Sequence, residues 1–375
     1  MSEKGVRITH LSSAHPRNDT RIFLKELRSL AKVSDYEVSF VVADGNGDQV
    51  IDNISIYDVG KQKGRLNRML KSTQMVLKKA LELDSDVYHL HDPELIPAGL
   101  KLKKAGKKVV FDAHEDVPKQ LLGKPYLNKF FLKIIARGYS IFENRTSRRF
   151  DAIVTATPSI GQKFEKLNDF VVVINNFPII GELDNPVLWE NRLNCISYVG
   201  GISKIRGILE LVKAIDLVNG IRLNLIGKFS ELQVYKEVTG YPGWRNVDEH
   251  GFLGREEVAE VLGKSKAGVV TFHPLPNHID AQPNKMFEYM SAGVPIITSD
   301  FPLWKEIVEG CKCGICVDPL NPEAIASAVN FIVANPRDAE KMGENGQKAV
   351  LEKYNWSIEK LKLFKLYRSI LDTSD

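Results

Sequence analysis

Short apolar, β-branched runs alternate along this chain with longer stretches whose apolar residues fall at helical spacing. The runs are Val6–Leu11, Tyr36–Ala43, residues 87–91 (VYHLH), residues 108–113 (KVVFDA), Asp151–Thr155, Phe170–Asn175, Cys195–Val199, Arg222–Gly227, Gly268–Phe272 and Val294–Ser299. Such runs, bounded by turn residues, predict buried strands. Helical spacing marks residues 22–32 (IFLKELRSLAK), 61–83, 209–218 (LELVKAIDLV), 322–334, 337–353 and 356–371. Strands alternating with helices predict an α/β fold with parallel sheets. Asn175–Arg192 holds Pro178, Pro186 and Gly/Asn-rich turns, which predicts a linker. The expected division is therefore a Rossmann-like domain over 1–175, a linker over 176–192, a second Rossmann-like domain over 193–355 and a terminal helix over 356–375.

Residues 268–300, GVVTFHPLPNHIDAQPNKMFEYMSAGVPIITSD, concentrate the candidate chemistry. They read as strand, long polar loop from His273 to Asn284, short helix Lys285–Ala292 and strand. Asn284 can cap that helix and Gly293 can end it. A βαβ unit places ligands outside the carboxyl ends of its strands. Free amides at a helix N-terminus suit a phosphate, and Lys285 adds a full positive charge. Asp280 and Glu288, eight positions apart, flank it. Carboxylates beside a phosphate site accept hydrogen bonds from hydroxyls, such as those of a ribose or a sugar. Spacing alone also allows an ordinary helix start with surface acids. A second Gly-rich turn, GGISKIRGI from Gly200, lies between a strand and a helix, with Arg206 supplying charge.

The segment PNKMFEYMSAGVPIITSDFPLWKEIV resembles the donor-binding signature of family 4 retaining glycosyltransferases, which have the GT-B fold. The resemblance implies two Rossmann-like domains facing across a cleft, with the terminal helix crossing back to the first. It implies that Glu288 binds the donor ribose and Asp280 the transferred sugar; the family usually has Glu at the latter position. Of the two basic residues that clamp the donor diphosphate, Arg206 matches the second, while the first falls on Gly201, leaving Lys204 as its substitute. Gly200 lies in the same turn, and Phe252 and Gly254 fall where the family takes the nucleotide base. His114, ending the strand KVVFDA, matches the cleft histidine near the donor sugar. Asp19 and Arg21 are cleft candidates in the first loop; the competing reading is a simple helix cap by Asp19 or Thr20. Arg206, Lys285 and the amides near Asn284 would stabilise the leaving diphosphate, so no metal or other cofactor is required. The family is thought to attack from the face of the leaving group, and no residue stands out as a nucleophile.

Composition narrows the setting. The 375 residues are 43% hydrophobic and 26% charged, ordinary for a soluble globular protein. No run approaches the ~20 apolar residues that span a bilayer, and no apolar signal region follows the first charges. Cys195, Cys311, Cys313 and Cys316 fit a reducing cytoplasm, the CKCGIC cluster reading as thiols at a turn before a metal site. A GxGxxG fingerprint is missing, so no nicotinamide cofactor is indicated. His89 and His91 share a strand face; this could suit a metal, but strand-end packing is the preferred reading. Asp84-Ser85-Asp86 reads as a solvated loop.

The net charge of +4 is uneven: residues 1–190 carry 29 Lys+Arg against 24 Asp+Glu, the remainder 22 against 23. Residues 117–150 hold eight Lys or Arg and one acid, Glu143, interleaved with aromatic and aliphatic residues. Such a helix can lie on an anionic membrane, or pack with a solvated basic face. Nucleic acid is not an expected partner, because no recognisable module is present. The reading is a retaining glycosyltransferase moving a sugar from a nucleotide diphosphate sugar, of UDP type, to a glycan or lipid-linked acceptor in surface polysaccharide assembly. It is expected in the cytoplasm or peripherally on the inner membrane face. The alternatives are another GT-B enzyme, such as a nucleotide-sugar epimerase, and a non-catalytic nucleotide-sugar-binding partner.

Overall fold

A computed structural model describes residues 5–122, 129–185 and 187–372. The chain divides into two compact units, Met1–Asn176 with Ile358–Asp375, and Phe177–Ser357. Residues 177–185 and 187–192 lie in the second unit, where Leu183 is buried and Arg192 donates to the carbonyls of Ser265 and Gly293.

The first unit is built on β1 (Val6–Leu11), β2 (Tyr36–Val42), β3 (Gln49–Ile51), β4 (Ile54–Asp58), β5 (Val87–Leu90), β6 (Lys108–Ala113), β7 (Ala152–Thr155) and β8 (Val171–Val173). Their order is β3-β4-β2-β1-β5-β6-β7-β8, parallel throughout except for the β3–β4 pair. Helices cover both faces of a parallel sheet, so its central strands are apolar runs without alternation. Leu11, Val41, Tyr88, Phe111, Ile153 and Phe164 share one core here. The β3–β4 hairpin turns on Asp52 and Asn53, both at positive φ (52° and 64°), a conformation these short polar side chains tolerate. The expected helix of residues 22–32 starts earlier. Thr20–Leu27 is wound wider than an α-helix and continues into Arg28–Leu30. The helical pattern of 61–83 begins at Arg65 and becomes the α-helix Thr73–Leu83 after a wider turn, Arg68–Ser72.

The second unit holds β9 (Cys195–Val199), β10 (Arg222–Ile226), β11 (Val247–Gly251), β12 (Ala267–Val270), β13 (Ile296–Ser299) and β14 (Gly314–Val317). The order β11-β10-β9-β12-β13-β14, all parallel, is the doubly wound arrangement. Strand order reverses between β9 and β12 in this sheet and between β1 and β5 in the other; a doubly wound sheet opens a crevice at such a point.

One helix matters most, Asn284–Ser291. Gly268 on β12 leaves room for the Tyr289 ring, since a Cβ there would stand 2.3 Å from Tyr289 Cδ2. Tyr289 is buried, and its hydroxyl accepts the Val199 amide at 2.9 Å. The helix is thereby seated against β9 and β12, with Lys285, one turn earlier, on the same face. Asn284 is the first helical residue and not the cap: Pro283 holds the cap position without a side-chain hydrogen bond. The loop from His273 contains a helical turn, Pro276–Ile279, that the polar, Pro-rich sequence had concealed. The Trp304 indole ties that loop down by donating to the Ala281 carbonyl at 2.7 Å.

Candidate functional site

Lys285 is buried, and its Nζ has no hydrogen-bond partner among the described residues. The ammonium sits over the rings of Tyr198 at 4.0 Å and Phe272 at 5.3 Å from the centroids. Ring faces attract a cation but do not neutralise it. Burial, with the charge of Arg206 added, drives this lysine well below its ordinary 10.5. A desolvated cation at a helix start, with no hydrogen-bond acceptor among the described residues and only the more distant pull of Glu288, is arranged for an incoming anion.

The Gly-rich turn completes the surroundings. Gly200 has φ +117°, and a Cβ on it would stand 3.2 Å from Lys285 Nζ. Gly207 at φ +80° packs against Thr271, whose carbonyl oxygen would be 1.9 Å from any Cβ there; only glycine fits. Arg206 folds back over the turn. Its Nη1 donates to the Gly201 carbonyl at 3.1 Å, and its guanidinium lies over the Phe272 ring. A Cβ at Gly201 would come within 2.7 Å of that Nη1. Arg206 therefore occupies the space beside residue 201. Lys204 is exposed on the same turn.

Glu288 receives the Arg255 guanidinium at 2.7 Å, and the same guanidinium grips Glu182 through two further bonds, at 3.0 and 2.7 Å. Arg255 is the first residue of its helix, where a cation opposes the dipole. That misplacement was the available signal for it, and the sequence reading did not use it. Gly254 caps this helix, its amide donating to Glu257 at 2.7 Å. Phe252 is exposed, with Lys228 near its ring. Asp280 follows the turn Pro276–Ile279 and is half-buried. Gly200, Arg206, Lys285, Glu288 and Gly254 thus converge through the turns and helix starts of the second unit.

In the first unit His114 is half-buried, its Nε2 2.9 Å from Asp112 Oδ2 and 3.3 Å from His91 Nδ1. Asp112 orients the imidazole and had not been singled out. Arg21 is deeply buried: it makes two 2.9 Å bonds to Asp112 and donates to the Ile174 carbonyl at 2.8 Å. Asp19 takes the cap role, accepting the amides of Arg21 and Ile22, and pairs with His15 at 3.0 Å. Burial would raise the Asp19 carboxyl, but the bonds from His15 and Ile22 outweigh it and hold the group well below the usual range.

Two doubly wound units, with an anion-seeking lysine at the switch point of the second, define a protein of the GT-B fold. The family model described as glycosyl transferases group 1 matches residues 181–349, and that of glycosyltransferase family 4 matches residues 21–177. The chain belongs to this glycosyltransferase family. A capsular polysaccharide biosynthesis glycosyltransferase, CapM of Staphylococcus aureus, is 25% identical over 211 residues, 52% of this chain and 52% of that protein. Sucrose-phosphate synthase of Thermosynechococcus elongatus superposes with a TM-score of 0.79 at 17% identity, covering 98% of this chain and 100% of the other. HepE of Anabaena, solved with UDP-glucose, gives 0.73 at 14% identity, covering 97% and 99%. Matches to curated relatives span 52–68% of those proteins' lengths.

Proposed function

We propose that the chain transfers a sugar from a nucleotide diphosphate sugar to a hydroxyl, with retention at the anomeric carbon. The observation that carries this is Lys285: a buried, unpartnered ammonium where a Gly-rich turn meets a helix start. Lys285, Arg206 and the first amides of Asn284–Ser291 neutralise the diphosphate as the glycosidic bond breaks, so catalysis needs no metal. Glu288, aimed by Arg255, accepts the ribose hydroxyls, and Asp280 the hydroxyls of the sugar. Phe252 and Gly254 border the base. His114, held by Asp112, belongs to the first unit, the one that takes the acceptor. Arg206 carries the clamp that residue 201 lacks. The donor is a UDP-sugar, a reading supported by the solved HepE complex with UDP-glucose.

The acceptor is lipid-linked and lies at an anionic membrane surface, in surface polysaccharide assembly. CapM supports the pathway by similarity. The helix Lys129–Ser147 supports the location, since it turns Phe130, Phe131, Ile134 and Ile135 outward beside Lys133 and Arg137. Among the described residues no helix is long and apolar enough to cross a membrane.

Thermal stabilisation by a panel of nucleoside diphosphates tests the donor site. A ligand at 100 times its dissociation constant adds about 2.7 kcal/mol. UDP is expected to stabilise the wild type, and Glu288→Ala and Arg206→Ala to lose most of that gain. Stabilisation by no nucleotide would sink the donor assignment. Binding without transfer to any acceptor would favour a non-catalytic partner, and conversion of the sugar without an acceptor would favour an epimerase.

A further inference from the structure

We propose that His10, Glu26, His89 and His91 form a structural site for a divalent transition-metal ion of the zinc class, at the switch point of the first sheet. One ligand atom from each lies within 4.8 Å of all the others, and all four residues are fully buried. His10 on β1 and His89 on β5 are direct register partners, one on each side of the point where strand order reverses. His91 follows β5, and Glu26 comes from the helix after β1.

The orientation of the rings is the stronger argument. Metal-bound imidazoles characteristically give their second nitrogen to a fixed partner. Each of these three does so. His10 Nε2 lies 3.0 Å, and His89 Nδ1 2.9 Å, from the same Tyr367 hydroxyl, whose oxygen can accept from both. His91 Nδ1 lies 3.3 Å from His114 Nε2 and 3.5 Å from Asp112 Oδ2. The remaining nitrogens face inward. His10 Nδ1 and His91 Nε2 are 2.8 Å apart, and each is 3.9 Å from Glu26 Oε2. Among the described residues buried His89 Nε2 makes no hydrogen bond, and neither do the carboxylate oxygens of Glu26, whose Oε1 has only the ion pair with Arg21. A ring nitrogen and a carboxylate oxygen that make no hydrogen bond, set among buried imidazoles, are what a cation would satisfy. Arg21, 3.2 Å from Glu26 Oε1, has its own charge matched by Asp112, so Oε2 remains for the metal.

Three nitrogens and one oxygen form a closed tetrahedral set for zinc, with no open position for substrate. Bonds of about 2.0–2.1 Å would place the ligand atoms about 3.3 Å apart, between the 2.8 Å that separates His10 Nδ1 from His91 Nε2 and the 3.9 Å from each to Glu26 Oε2. The ion would pin β1, β5 and the helix Thr20–Leu27 to one another.

The test uses the full chain, purified without tag or chelator. Elemental analysis is expected to find one zinc ion per chain after Zn²⁺ loading and desalting. Replacement by Co²⁺ is expected to give the visible absorption of tetrahedral cobalt. Tyr367→Phe keeps the packing but removes the shared hydroxyl, and should weaken affinity about 10–100-fold. His89→Ala should abolish retention, while His250→Ala in the second unit should leave it intact. Should His89→Ala not fold, the wild type and Tyr367→Phe decide. A folded wild type that retains neither zinc nor cobalt, or whose retention is unmoved by Tyr367→Phe and lost in His250→Ala, overturns the proposal.

Discussion

Lys285 makes no ion pair among the described residues, and the pull of Glu288 does not offset its burial, so a prediction about protons follows. Burial and Arg206 hold its pKa well below 10.5. A bound diphosphate would raise it again. Between the free-site and bound-site values, binding takes up a proton, so affinity falls as pH rises, by up to about tenfold per pH unit. Calorimetric titration of UDP in two buffers of different ionisation enthalpy should reveal net uptake, and Lys285→Met should remove it. Pure proton release, or no buffer dependence at any pH, would contradict the assignment. Asp44 gives a stability counterpart. Two 2.8 Å bonds from Arg17 hold its pKa at about 2, below the ordinary 3.8. The pair stabilises fully above the unfolded value of 3.8 and is lost as pH falls through about 2. Over that window the melting temperature of Asp44→Asn should drop less steeply than that of the wild type. At this scale the sequence made Lys285, Glu288 and Arg206 legible, because their neighbours in the chain place them on turns and helix starts. Arg255 and Asp112 were not legible. Their partners Glu288 and Arg21 stand 33 and 91 positions away, and such pairings exist only once the sheets have formed.

Among the elements, the helix Lys129–Ser147 departs most from what burial dictates. Leu132, Ala136 and Glu143 face inward, while Phe130 is 66%, Phe131 60% and Ile134 55% exposed. The sequence read its basic, aromatic composition correctly but could not say which face was buried, since apolar residues lie on both. Lys124 falls outside the described residues. Each cation near an anionic surface contributes about 1 kcal/mol, so Lys133→Gln with Arg137→Gln should weaken vesicle binding roughly 30-fold. Sedimentation with phosphatidylserine vesicles measures this; added salt should mimic the double variant, and Lys341→Gln should do nothing. Binding unchanged by charge or salt would end the membrane reading. Strands were the most readable elements, because a strand buried on both faces must be apolar and short. The β3–β4 hairpin escaped notice because three- and five-residue strands carry too little pattern. Its Asp52-Asn53 turn was the one local sign of it.

For the whole molecule, two separately cored units imply two separable stabilities. Tyr289, Trp304 and Phe287 anchor one cluster of the second unit, and Tyr88, Phe111 and Phe164 that of the first. From Ile358 the terminal helix belongs to the first unit. There buried Glu359 accepts the Asn175 amide at 2.8 Å, at the end of that unit's main segment. The amphipathic pattern of residues 356–371 made the helix legible; its attachment was expected from the family resemblance and not from any local pattern, because the contact joins positions 184 apart. Glu359→Ala leaves a buried amide without a partner, which costs about 1–3 kcal/mol. Every diphosphate contact proposed above comes from residues 200–288, within the second unit. Scanning calorimetry should therefore resolve two transitions. Glu359→Ala should lower one and UDP should raise the other. If UDP instead raises the transition that Glu359→Ala lowers, the nucleotide is held by the first unit, and the donor assignment to Lys285 and Glu288 fails.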